Sequence, residues 1–319
     1  VLSVTGAIDQ FLAAIALDVK PATVVYYRRS LAPLRAIEAN VGQVTLGDLR
    51  AVYGHLRNRD IRYAHHPTRP AIAGGLSAFT LHKHVRAWKR FFNWLVEEEV
   101  IPCNPAAKLK RPRLPRVAPK DMLPEDLERL LNQARANQRD YAIVCFLADT
   151  ACRVGGLAGL KLGDVRLDDR RALVREKGDR ERFVHFGERT ATALQIYCEG
   201  ERNTQLRDLE RRGIDFDPKR VPPKDGDFVF LGKQGSLTTS GVYLAIKRLA
   251  RAAGVQGRYN PHSIRHGWAR AAIKRGASLK EIQEILGHAS VMTTATSYAV
   301  YLDEEIHERH GQLSWLREE

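Results

Sequence analysis

The stretch PCNPAAKLKRPRLPRVAPK, residues 102–120, limits the fold more than any other, because five of its residues are proline. Proline lacks the amide that helix and sheet both use, and it restricts the residue before it. A regular element cannot cross such a segment, so the chain must fold as two bodies joined by a strap. The bodies are placed at residues 1–107 and 120–319, with the linker at 108–119. A chain of 319 residues is long enough for two ordinary domains.

The first body reads as all-helical. Val4, Ile8, Phe11, Leu12 and Ile15 share one helical face. A second helix is predicted through TVVYYRRSLAPLRAIEA, with Leu31, Leu34 and Ile37 as its stripe. Thr45 and Asp48 form a T-x-x-D capping box ahead of Leu49, Val52, Tyr53 and Leu56. RYAHHPTRPAIAGG (62–75) reads as a loop. The next helix sets Leu81, Val85, Trp88, Phe92 and Leu95 against an opposite face of His82, Lys83, Arg86, Lys89 and Arg90.

In the second body, Pro124 starts a helix with Glu125 and Asp126 in its first turn. Leu127, Leu130, Leu131 and Ala134 form its buried stripe. YAIVCFLAD follows, apolar nearly all round and therefore central. The period then changes: DVRLDD, RALVREKG and RERFVHF (164–186) alternate, and predict a small antiparallel sheet. Helices resume over TATALQIYCEGE, TTSGVYLAIKRLARAAG, HSIRHGWARAAIKRG and SLKEIQEILGH, with a charged stretch around 200–226. The fold class is mainly α with a small antiparallel β-sheet (α+β).

The formal net charge of +14 favours a polyanionic partner, nucleic acid before an acidic membrane surface. Lys83, Arg86, Lys89 and Arg90 on the fourth helix, and Lys108, Lys110, Arg111 and Arg113 in the strap, are the candidate DNA contacts. A solvated surface and a plain linker are the blander readings. Cys103, Cys145, Cys152 and Cys198 form no C-x-x-C pair, which fits a reducing compartment. The N-terminus lacks the marks of a secretion signal, and the longest apolar run is too short for a membrane span.

Four short stretches carry groups suited to phosphate chemistry. In DTACRVGGLAGLKLGDV, Arg153 follows the most apolar helix, where a guanidinium needs a carboxylate or a phosphate. In REKGDRERF, Lys177 lies at a hairpin tip, either a delivered cation or an ordinary turn residue. In NPHSIRHGWAR, His262 and Arg265 share a helix face at its N-terminus, which suits an anion, although a His cap with a surface Arg gives the same pattern. SLKEIQEILGHASVMTTATSY looks like a helix-turn-helix, with Leu279, Ile282, Ile285 and Leu286 as a stripe, Gly287 as the turn and Val291 beyond it.

Taken in order, Arg153, Lys177, the H-x-x-R of His262 and Arg265, the L-G-H of His288, and Tyr298 resemble the signature of the tyrosine recombinases, the phage-integrase and Xer-like family. NPHSIRH and LGHASVMTT…Y are close to that family's wording, and FFNWLVEEEVIPCNPAAKLKRPRLPR is similar to its exit into the linker. The resemblance implies a helical core-binding domain followed by a catalytic domain. It implies that Arg153 and Arg265 grip the non-bridging oxygens of the scissile phosphate. Lys177 would protonate the leaving 5′-oxygen, His262 act as general acid/base, His288 donate a hydrogen bond, and Tyr298 attack. Tyr301, three residues on, would pack. Arginine forks suit the charge that gathers on phosphorus, and a phenol of ordinary pKa near 10 needs help to lose its proton. No cofactor is implied, neither metal nor ATP, because the bond energy stays in a 3′-phosphotyrosine link.

The implied partners are double-stranded DNA and three further copies of the chain in a synaptic tetramer, the free protein being monomer or weak dimer. An accessory recombinase or directionality factor is a further implied partner, and the implied location is cytoplasmic and nucleoid-associated. The tail DEEIHERHGQLSWLREE would dock on a neighbouring subunit through Ile306, Leu313, Trp315 and Leu316. With no arm-binding domain expected ahead of the core-binding helices, the resemblance favours a simple Xer-like or transposon-type, mobile-element enzyme. Three features depart from the family. Gly156 stands where a supporting Glu is usual, the 200–226 stretch is long, and the His288–Tyr298 interval is one residue longer than the commoner spacing. Two other classes fit part of the pattern: a non-catalytic helix-turn-helix regulator, and a type IB topoisomerase.

Overall fold

The structure, a computed structural model, describes residues 2–62, 70–114, 121–176, 180–212, 228–288, 290–292, 294–295, 297–298, 307 and 310. The chain divides into two compact units, Val1–Arg116 and Val117–Glu319. It is predominantly α-helical with small antiparallel sheets.

The first unit is built on α1 (Val4–Ile15), α2 (Pro21–Leu31), α3 (Leu46–Asn58) and α4 (Ala78–Glu97). Val4, Ile8, Phe11 and Leu12 of α1 are buried with Leu81, Val85, Trp88, Phe92 and Leu95 of α4 in one core. The helix expected over 23–39 does not run through. It ends at Leu31 and tightens into a 3-10 segment over Ala32–Ala36. Pro33 is the reason: it has no amide to donate back and its ring crowds the preceding turn. The Thr45 cap forms as predicted, Asp48 accepting from the Thr45 amide at 2.9 Å and Thr45 Oγ1 accepting from the Asp48 amide at 3.3 Å. The loop expected at 62–75 contains all but Ile61 of a two-residue ladder, β1 (Ile61–Arg62) against β2 (Ile72–Ala73). Ile101, Ala106 and Leu109 are also buried in this core, so the start of the proline-rich strap packs on the helices.

The second unit is centred on α6 (Gln138–Thr150), which packs against α5 (Pro124–Ala134) and α8 (Glu188–Glu199). The helices α10 (Thr239–Ala252) and α11 (Pro261–Lys274) also lie on it. Ala142 to Leu147 are buried without interruption, as an all-round apolar helix requires. Between α6 and α8 come the short α7 (Val154–Ala158) and a sheet of order β3 (Val165–Arg166), β4 (Arg171–Arg175), β5 (Glu181–His185). All its pairings are antiparallel, with Ala172 opposite Val184 and Val174 opposite Arg182. Ala172, Val174 and Val184 face the core. The charged stretch begins as α9 (Glu201–Arg211); residues 213–227 lie outside those described. A small hairpin, β6 (Leu231–Gly232) and β7 (Gly235–Ser236), leads to α10 and α11, and α12 (Leu279–Leu286) follows them. Ile282 and Leu286 of α12 are buried, but Ile285, expected in the same stripe, is exposed. No helix among the described residues is long and apolar enough to cross a membrane.

Candidate active site

The site begins where the central helix stops. Ala151 caps α6 in the left-handed conformation, φ 49°, unusual for a residue with a Cβ. That turn aims its carbonyl at Arg265, whose Nη1 donates to it at 2.6 Å. Arg265 comes from the first turns of α11. There Asn260 accepts from the Ser263 amide at 3.0 Å, Ser263 Oγ accepts from the Asn260 amide at 2.8 Å, and Pro261 opens the helix. This capping box fixes His262 at the helix start, with Arg265 one turn on, on the same face.

A second loop closes over the same point. Ser278 caps α12 in a box with Glu281, and the helix ends at Gly287 with φ 63°. A Cβ at Gly287 would stand 2.7 Å from Arg182 Nε, so both the backbone and the crowding call for glycine. The last carbonyls of α12 receive the arginines: Arg265 Nη2 donates to Leu286 O, and Arg153 Nη2 donates to Gly287 O at 3.2 Å. Arg153 is also held from the other side by Glu176, which accepts from its main-chain amide at 2.8 Å and pairs with Nη1. Arg182 from β5 donates to the same carboxylate at 3.3 Å.

Charge is left over. Arg265 is 4% exposed, and among the described residues no carboxylate pairs with it. Burial first, then the neighbouring Arg153, pulls its pKa down to about 10. Arg153 and Arg182 share the one carboxylate of Glu176, and Arg265 beside them adds a third positive charge, so the cluster is net positive and suited to receive an anion.

The imidazoles and the phenol surround this cluster. His262 stands at the exposed start of α11; partial desolvation, then Arg265 and Arg153, hold it below its usual pKa. His288 shares a hydrogen bond at 2.8 Å between Nδ1 and Thr294 Oγ1. Burial, Arg265 and Arg153 push its pKa down to about 4, so it is neutral and keeps one N–H to donate. Tyr298 is fully buried with Ala151, Ala269, Ile282 and Leu286, and its hydroxyl meets His266 Nδ1 at 2.9 Å. Burial pushes the phenol up to about 12, against the pull of Arg265. Burial, His262 and Arg265 hold His266 below its usual pKa, which leaves it able to accept a proton.

Arg153, His262, Arg265, His288 and Tyr298 therefore converge, although they come from four different parts of the unit. Lys177 lies outside the described residues, beyond the end of β4; Tyr301 and most of the tail also lie outside them. Three residues in contact with the site were not singled out from the sequence: His266, Arg182 and Glu176. His266 had a signal, being four residues after His262 on one helical face. Among the described residues no cluster of three or more His, Cys, Asp or Glu could hold a metal ion. In the first unit Lys83, Arg86, Arg90, Lys108, Lys110, Arg111 and Arg113 are exposed. Arg90 pairs with Glu97 at 2.9 Å, and Lys89, half-buried, donates to Ala107 O at 2.8 Å.

Comparison with known proteins points the same way. Residues 120–305 match the phage integrase family. Tyrosine recombinase XerD of Listeria monocytogenes serotype 4b (strain F2365) is 30% identical over 69% of this chain and 71% of its own length. Tyrosine recombinase XerC of Corynebacterium efficiens is 30% identical over 86% of this chain and 79% of its own. Among solved structures, a lambda integrase dimer bound to a COC′ core site superposes with a TM-score of 0.67 at 16% identity, covering 95% of this chain and 78% of that one. The Tn1549 transposon integrase in complex with a circular intermediate DNA gives 0.67 at 19%, covering 97% and 100%. The latter two show the shared fold. The chain belongs to the phage integrase family of tyrosine recombinases, enzymes of DNA strand exchange through a phosphotyrosine intermediate.

Proposed function

We propose that this chain is a site-specific recombinase that integrates, excises or resolves DNA, with Tyr298 as its nucleophile. The supporting observation is Arg265: a buried guanidinium bonded, among the described residues, only to main-chain carbonyls, beside Arg153, with electrostatic reach to Tyr298. A scissile phosphate supplies the missing anion. Arg153 and Arg265 hold its non-bridging oxygens and stabilise the charge of the five-coordinate transition state. The Tyr298 oxygen gives up its proton and bonds to phosphorus. The phosphorus–O5′ bond breaks, and the leaving oxygen takes a proton from Lys177. His262, at the helix start, acts as acid/base; His288 donates to the phosphate. The phosphoester count is unchanged, so the reaction needs no ATP. Side-chain cations take the charge-stabilising place a metal would have, so it needs no metal, and attack by a second strand's 5′-hydroxyl reverses it.

In this reading residues 1–107 form the core-binding domain, 108–119 the linker and 120–319 the catalytic domain. The exposed basic residues of α4 and of 108–113 follow the DNA backbone. Four copies assemble around two duplexes. The test is covalent capture. The protein is mixed with nicked duplexes of randomised core sequence, and protein-bound DNA is recovered under denaturing conditions. The expected product carries DNA by its 3′ end. Binding without any covalent product points instead to a non-catalytic regulator, and relaxation of arbitrary supercoiled plasmid to a topoisomerase.

A further inference from the structure

Glu176 has a place in this site that the roles above do not account for. Its side chain is 4% exposed, at the end of β4, one residue before Lys177. Burying a carboxylate is costly unless several partners hold it. Here three do: the Arg153 amide at 2.8 Å, Arg153 Nη1, and Arg182 Nη2 at 3.3 Å. A carboxylate that merely neutralised Arg153 would need only its guanidinium. This one grips the backbone and the tip of the same residue. With Gly287 O on Nη2, it leaves the Arg153 fork little freedom to turn. Burial alone would raise the Glu176 pKa, but the Arg153 amide and the Arg182 and Arg153 guanidinium groups outweigh it and hold the group below the usual range. It is therefore charged throughout the neutral range.

Gly156 in α7 lies against the same carboxylate. Its φ is not in the left-handed region, so the backbone does not demand glycine. A Cβ there would stand 3.2 Å from Val174 Cβ and 3.5 Å from Glu176 Cγ. The Glu176 side chain thus occupies the space into which a side chain at 156 would grow.

We propose that Glu176 is the positioning residue for Arg153 and Arg182, supplying from the strand the carboxylate that a glutamate at position 156 would supply from the helix. The proposal rests on the recombinase reading, with Arg153 as a phosphate ligand. Glu176 touches no reacting atom; it acts by presenting Arg153.

The test uses one duplex recovered from the capture experiment, scoring the rate of covalent product, duplex affinity by gel shift, and melting temperature. Glu176→Gln keeps the shape and one acceptor but removes the charge. We expect it to slow cleavage by about tenfold or more, with affinity changed by less than about twofold, because Arg153 is misaimed in the transition state. Glu176→Gly should lose as much or more, and Gly156→Glu added to it should restore much of the rate. Three results overturn the proposal. One is wild-type cleavage by Glu176→Gln. Another is a loss of cleavage matched by an equal loss of affinity and a fall in melting temperature. The last is no recovery in the double variant when Gly156→Ala, the control for the added Cβ, cleaves normally. Failure of the wild-type protein to form any covalent product sinks the recombinase reading itself, and is seen in the same gel.

Discussion

Arg265 is the residue on which the site turns. Its two donors bridge the end of α6 to the end of α12, so it braces two loops while carrying a charge that no carboxylate among the described residues pairs. Arg265→Lys keeps the charge but cannot span both carbonyls. We expect covalent product to fall by about 10²–10³-fold, the usual scale for loss of one transition-state donor, as measured by single-turnover cleavage. His288 makes a second prediction. Its folded pKa of about 4 lies below its ordinary 6.5. Unfolding therefore takes up protons in that window, and stability falls as the pH drops from about 6.5 to about 4. His262 and His266, shifted the same way, add to the effect. His288→Asn should reduce proton uptake on unfolding by about one, measured from denaturation at several pH values. The positions of Arg153, His262, Arg265, His288 and Tyr298 were readable because each sits in a short fixed wording. Glu176 and Arg182 were not, because their meaning lies in a contact with Arg153 that is distant in sequence, and a residue in or beside a strand does not announce what it faces.

At the level of elements, periodicity and caps explain most of what forms. The Thr45–Asp48 box, Pro124 at a helix start and the change to alternation at 164–186 all appear where the sequence puts them. The misses have physical causes. Pro33 interrupts a continuous apolar stripe, since periodicity sees Leu31 and Leu34 but not a missing amide. The ladder between Ile61–Arg62 and Ile72–Ala73 depends on pairing across a loop. Gly287 carries the element-scale prediction. Gly287→Ala forces a Cβ into the left-handed region and toward Arg182 Nε. That should cost about 1–2 kcal/mol, seen as a lower melting temperature. It should also reduce covalent product beyond what stability explains, because the Leu286 and Gly287 carbonyls aim both arginines.

For the whole molecule, the proposed reading assigns the affinity for DNA to the net charge of +14 and the exposed basic residues of the first unit, and the chemistry to the second unit. The two should separate experimentally. Replacing Lys108, Lys110, Arg111 and Arg113 together by Ser should weaken duplex binding and flatten its dependence on salt, by about 0.9 in the log–log slope for each phosphate no longer neutralised. Cleavage within the bound complex should be spared. Equal salt slopes for both proteins would show that this segment does not follow the backbone. The central claim is that the buried phenol of Tyr298, held by His266 beside Arg265, is the group that becomes joined to DNA. The most direct measurement compares Tyr298→Phe with Tyr301→Phe in covalent capture on the same nicked duplex. The account predicts no covalent product from Tyr298→Phe and near wild-type product from Tyr301→Phe. Product from Tyr298→Phe, with none from Tyr301→Phe, would contradict it.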